Sequence, residues 1–144
     1  MENISNVRQY LGGAKAIGSP ETELDFVPII RKGFPVSVFK SLGDQAELSE
    51  ETICRSLRIA RRTAARRKQR GARLKPAESE LLLRLARVLA AAADILGSRK
   101  KAREWLLAPN LALGNVPPIQ ILDTGIGFQQ VIDVLKRIEY GVFS

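Results

Sequence analysis

The chain has 144 residues, 45% of them hydrophobic, with 23 Lys and Arg against 15 Asp and Glu, a net charge of +8 and a pI near 10.2. That length supports one good core or two small ones sharing a helix. With no histidine and a lone Cys54, an internal disulfide is impossible, and the donors of a zinc site and the usual base for a thiol nucleophile are missing.

Residues 1–20 contain Gly12, Gly13 and Gly18 and little periodicity, which predicts a mobile lead-in. They lack the continuous apolar run of a secretory signal. Over 21–31, Leu24, Val27 and Ile30 recur at helical spacing, although Pro28 limits the helix or shifts its start. Gly33 and Pro35 then punctuate the chain, and a helix from Val36 to about Gln45 follows, with Val38, Leu42 and Ala46 in one apolar row and Phe39 beside it.

Ser49 is placed to cap a short helix, Glu50 to Leu57, with Ile53 and Leu57 at i, i+4. Cys54 sits inside it and reads as a small, half-buried hydrophobe. About three residues later a second helix winds from Ala60 to Arg70. At about 100° per residue, Ala60, Ala64 and Ala65 share one side with Arg61 and Lys68, whose stems can lie along it. Arg62, Thr63, Arg66, Arg67, Gln69 and Arg70 fall on the other. Two helices joined by so short a turn, the second strongly basic, form a helix-turn-helix pattern.

The charge is concentrated here. Ten cations lie between Arg55 and Lys75, and no acid lies between Glu51 and Glu78, so the remainder of the chain is slightly acidic. Clustering on one helix favours DNA over an acidic membrane surface, while a solvated cationic face or an acidic protein partner accounts for the same charge without nucleic acid. If roughly half of the ten neutralise phosphates, log K against log salt falls with a slope of about −4 to −5 per protomer.

Pro76 opens the longest helix, about Ala77 to Leu96, ending at Gly97. Leu81, Leu82, Leu85, Val88, Leu89, Ala92 and Leu96 form a wide stripe that alanines extend around most of the circumference, which predicts a domain centre or a subunit interface. Arg84, Arg87 and Asp94 interrupt it, and it is too short to span a bilayer. Ser98 caps a helix from Arg99 to Leu107, with Ala102, Trp105 and Leu106 inward and Pro109 after it. A turn-rich loop, Asn110 to Val116, leads through Pro117-Pro118 to Leu122. Asp123 or Thr124 then caps a last helix, with Phe128, Val131, Ile132, Leu135 and Ile138 on one face, ending near Gly141. The paired Glu50-Glu51, and Glu78 with Glu80, read as charges favouring helix N-termini rather than as catalytic acids.

The segment from Asn110 to Ser144 resembles the C-terminal domain of the MbcA/ParS/Xre antitoxins, partners of RES-domain toxins. Asn110, Ala112, Leu113, Gly114, Pro118, Leu122, Asp123 and Thr124 carry the likeness, followed by RIEYGVFS from Arg137. It extends back through the leucine-rich helix and Ala102-Arg103-Glu104-Trp105-Leu106, and in all covers about 35–144. Together with the flexible segment expected at 1–20, the resemblance implies an all-α protein with a helical domain at 21–97, its helix-turn-helix at about 49–70, and a small toxin-binding domain at 98–144, joined by the long helix.

It further implies a cytoplasmic antitoxin without catalysis, cofactor or metal, and without membrane attachment, a homodimer within a larger assembly. The C-terminal segment would block a toxin that depletes NAD, and the helix-turn-helix would bind the operon's own promoter. The DNA contacts expected are Arg61, Arg62, Thr63, Arg66, Arg67, Gln69 and Arg70. The toxin contacts expected are Arg137, Ile138, Glu139, Tyr140, Gly141, Val142, Phe143 and Ser144, with Tyr140 and Phe143 as anchors and Glu139 and the terminal carboxylate as partners for arginines. A stand-alone repressor accounts for the basic helix but not for the RIEYGVFS ending. The turn departs from the family: Arg58-Ile59-Ala60 stands where Gly-Ile-Ser is frequent, which puts a bulky residue where a left-handed glycine costs least and removes a helix cap.

Overall fold

The computed structural model describes residues 3–141. Among them the regular secondary structure is helical, with no strand: α1 (Ile4–Tyr10), α2 (Ala14–Ile17), α3 (Phe26–Lys32), α4 (Ser37–Ala46), α5 (Glu50–Leu57), α6 (Arg61–Arg70), α7 (Pro76–Leu96), α8 (Arg99–Leu107) and α9 (Gly125–Glu139). Single 3₁₀ turns occupy Glu23–Asp25, Leu111–Leu113 and Pro118–Ile121. Local signals set most boundaries. Ser49 accepts a hydrogen bond from the Thr52 amide at 3.0 Å, Ser98 from Lys101 at 3.1 Å, and Thr124 from Gly127 at 2.9 Å, each satisfying an otherwise orphaned N–H in a first turn.

The core is built around α7, which packs against α1, α3, α4, α8 and α9. Leu82, Leu85, Ala86, Val88, Leu89, Ala90, Ala91 and Ala92 are completely buried. The chain's own helices therefore cover most of the long helix, which serves as the domain centre, while Leu81, Leu83, Ile95 and Leu96 stay half-buried.

The first twenty residues depart from the mobile lead-in their composition predicts. Val7 and Tyr10 on α1, Leu11 directly after it and Ile17 on α2 join the core, none of them more than 4% exposed. Helices this short have no stability alone; docking on α7 supplies it. The 21–31 segment also differs. Phe26 is buried while Leu24 is 79% and Val27 40% exposed, so α3 turns Phe26, Ile29 and Ile30 inward and, of the expected row, keeps only Ile30 on the core side. Pro28 lies in the first turn of α3, where no amide is required of it.

The link after α3 fixes the helix-turn-helix to α7. Gly33 adopts φ 93°, and a Cβ there would stand 2.1 Å from the Leu74 carbonyl oxygen, so no side chain fits. The close approach lets the Leu74 amide donate to the Phe34 carbonyl at 2.9 Å and the Phe34 amide donate to Ser79 Oγ at 2.8 Å. Ser79 Oγ itself donates to the Lys75 carbonyl at 3.0 Å. A buried hydroxyl thus joins α3, the end of the helix-turn-helix and the start of α7.

Candidate nucleic-acid and protein interfaces

In the helix-turn-helix, Ile53, Cys54 and Leu57 of α5 and Ile59 of the turn are buried, and Ala64 docks α6 on the core. Burial pushes the Cys54 thiol up to about 11, so it stays protonated and inert at neutral pH, as a small hydrophobe should. The buried side of α6 is narrower than the helical wheel implied: Ala60 and Ala65 are exposed, while Thr63 and Arg67 are drawn partly in with Ala64.

Arg67 is the main departure from the expected DNA set. Its side chain is 15% exposed and pairs with Glu78 at the start of α7, while Glu78 also accepts from the Lys75 amide at 2.8 Å. Arg67 thus anchors the basic helix from beneath. Arg61, exposed, approaches Glu51 at 4.0 Å. Arg62, Arg66, Gln69 and Arg70 are exposed, and the three arginines form no ion pair with a described residue. The outer face of α6 is therefore a run of guanidinium donors that no described residue neutralises, from Arg62 through Arg66 to Arg70 at i, i+4, i+8.

The turn before α6 is held from an unexpected direction. Arg58 adopts φ 57°, ψ 41°, a left-handed conformation, and its Nε donates to Asp123 Oδ2 at 3.0 Å. Arg84 of α7 reaches the Leu122 and Asp123 carbonyls at 3.2 and 3.3 Å. The departure from glycine thus brings a contact with the turn preceding α9. The left-handed conformation costs a non-glycine residue about 1 kcal/mol, and an ion pair with one exposed partner offsets about 0–1 kcal/mol. Arg58→Gly should be as stable as the parent or up to about 1 kcal/mol more so, and Arg58→Ala, which keeps the strain and loses the pair, less stable; urea unfolding of both checks this.

At the other end of the chain, α9 buries Val131, Ile132, Val134 and Leu135. Beyond Leu135 the contact with the core thins. Arg137 and Glu139 are exposed, Ile138 is half-buried, Tyr140 is 75% exposed and Gly141 turns the chain at φ 70°. Val142, Phe143 and Ser144, the remaining expected toxin contacts, lie outside the described residues.

Among the described residues no group of acidic or thiol side chains is arranged to hold a metal, and no helix is long and apolar enough to cross a membrane. The fold defines a helix-turn-helix protein with a second small helical unit built on the far half of α7. Residues 25–87 match the antitoxin Xre-like helix-turn-helix domain, and residues 91–141 match the antitoxin Xre/MbcA/ParS C-terminal toxin-binding domain. Antitoxin Xre of Yersinia enterocolitica is 38% identical over 119 residues, covering 82% of this chain and 80% of that protein. The Antitoxin Xre proteins of Photorhabdus laumondii and Pseudomonas putida are 31% and 32% identical over 117 and 124 residues, spanning 81% and 85% of this chain and 79% and 77% of theirs. The chain belongs to the Xre antitoxin family, with a helix-turn-helix and a toxin-binding C-terminal domain.

Proposed function

We propose that this antitoxin inhibits a RES-domain, NAD-degrading toxin through its C-terminal segment and represses its own operon by binding promoter DNA as a homodimer in the cytoplasm. The observation that carries the toxin half is the end of α9: a large aromatic, Tyr140, stands 75% exposed at the close of a toxin-binding domain. Buried aromatics in a partner's pocket are the usual anchors of tight interfaces, and Glu139 beside it supplies a carboxylate for a partner arginine. The role is binding rather than catalysis.

Coexpression with a RES-like protein encoded next to this chain tests the reading. Growth and cellular NAD should be restored, and the two proteins should copurify with a mass that gives their stoichiometry. Unrestored NAD in cells that express both soluble proteins would leave the stand-alone repressor as the better account.

The DNA half rests on the unpaired outer face of α6. Replacing Arg62, Arg66 and Arg70 by Gln removes three phosphate partners and should flatten the salt slope by about 2.7. Near 0.15 M salt that corresponds to a loss of about two orders of magnitude in affinity. Electrophoretic shift across a salt series measures both quantities, and an unaltered shift would move the DNA contact elsewhere.

A further inference from the structure

We infer that the outer face of α3, with the 3₁₀ turn before it, is where two copies of this chain meet. The inference rests on the homodimer in the proposed function and assigns it a surface. The most buried side of α7 is taken up by its own chain, whereas this face leaves two large apolar side chains, Leu24 and Val27, exposed next to each other on one helical face.

The segment 21–32 carries two apolar rows. Phe26, Ile29 and Ile30 face the core, while Leu24, Val27 and Pro28 point outward with Arg31, at i, i+3, i+4 and i+7. The outer row is displayed rigidly. Asp25 accepts from the Glu21 and Thr22 amides at 2.9 and 3.0 Å, and Glu23 pairs with Arg87 of α7 at 2.8 Å, which holds the turn down and leaves Leu24 outside. A surface already ordered in the free chain loses less entropy on binding.

Its charge selects the partner. Glu21 and Asp25 lie at one end, Arg31 and Lys32 at the other, and the two cations make no ion pair with a described residue. Across a two-fold axis an antiparallel copy sets acidic end against basic end on both sides, with Leu24 and Val27 meeting in the middle. Such self-complementarity is what an isologous interface requires. The net charge of +8 is concentrated between Arg55 and Lys75, so the basic helices of two copies repel, whereas this face carries both signs and attracts its own copy. The surface also connects to the DNA face: Gly33 and Phe34, directly after α3, are bonded to the segment that follows α6, so pairing through α3 fixes the distance between the two basic helices, as binding to paired half-sites demands.

Sedimentation of the full chain over about a hundredfold range of concentration tests this. The parent should show a monomer–dimer equilibrium, and Leu24→Asp with Val27→Asp should weaken it by at least about tenfold. Both positions are exposed, so helicity and thermal midpoint should hold. Glu21→Lys alone, and Arg31→Glu with Lys32→Glu alone, should each weaken self-association, and mixing these two variants should restore a heterodimer. A parent monomeric throughout, a double aspartate variant that dimerises like the parent, or a charge-swapped mixture that stays monomeric would overturn the inference. So would loss of toxin capture by Leu24→Asp with Val27→Asp, which would give this face to the toxin. Toxin neutralisation by the parent is scored separately: its absence would sink the antitoxin–toxin pairing while leaving the dimer result to stand.

Discussion

A chain ending at Arg137 should lose toxin neutralisation completely while keeping its DNA affinity and a thermal midpoint within about 4 °C of the parent's. The two halves of that expectation have different physical origins. Leu135 is the last wholly buried residue of α9, and of residues 138–141 only Ile138 is even half-buried, so the loss of these four withdraws little apolar surface from the core, at a cost of about 1 kcal/mol. For a partner the same residues offer Tyr140, already outside, with no fold to disrupt when it moves from water into a pocket. Aromatic anchors of that kind carry about 2–4 kcal/mol each at interfaces, so Tyr140→Ala alone should weaken the complex by about 30- to 800-fold. With the RES toxin proposed above, purified toxin, antitoxin variants and an NAD-consumption assay measure the loss; electrophoretic shift on the same samples serves as the folding and DNA control. A truncated chain that still protects NAD would place the inhibitory contact upstream of Ile138.

Reading this fold from its sequence succeeds where the signal is local. Ser49, Ser98, Pro76 and Gly97 mark the ends of α5, α7 and α8 because caps and helix breakers act within a turn of themselves. It fails where a distant residue decides. Residues 4–17 hold only Ile4, Val7, Tyr10 and Leu11 at useful spacing before Gly12 and Gly13 interrupt the pattern, and their helices depend on an α7 that lies far along the chain. On α3 two apolar rows compete, and periodicity cannot say which one a core will take. At the candidate DNA site, the wheel correctly separates Arg62, Arg66 and Arg70 from Ala64, yet it sets Arg67 among them because Glu78, its partner, belongs to the next helix. Arg58 is visible as a departure from a glycine turn; its tie to Asp123 is not, since nothing in either local stretch refers to the other.

Gly125 and Gly127 belong to the same helical turn, and substituting each by alanine should move stability in opposite directions. Gly127 is buried, and a Cβ on it would stand 1.8 Å from the Ile121 carbonyl oxygen and 2.8 Å from both the Ile121 carbonyl carbon and Cβ. Two of those atoms are backbone, so no side-chain rotation relieves the clash. The turn at Pro118–Ile121 and the first turn of α9 must separate, and the Thr124 cap on the Gly127 amide strains with them. Gly127→Ala should therefore cost about 3–5 kcal/mol, the upper range for overpacking because the obstructing groups are main chain. At Gly125 the nearest neighbour of an added Cβ is Arg84 Nη2 at 4.0 Å, its φ is not positive, and the position opens a helix. Gly125→Ala restricts only the unfolded chain and should stabilise by about 0.4–1 kcal/mol. Urea denaturation of the two variants decides between packing and propensity as the reason for glycine here. A Gly127→Ala protein within about 1 kcal/mol of the parent would show that the 118–121 turn yields freely. In that event Asp123, two residues beyond Ile121, would be too loosely held to fix the Arg58 turn, and the ion pair would contribute little to the geometry of the basic helix.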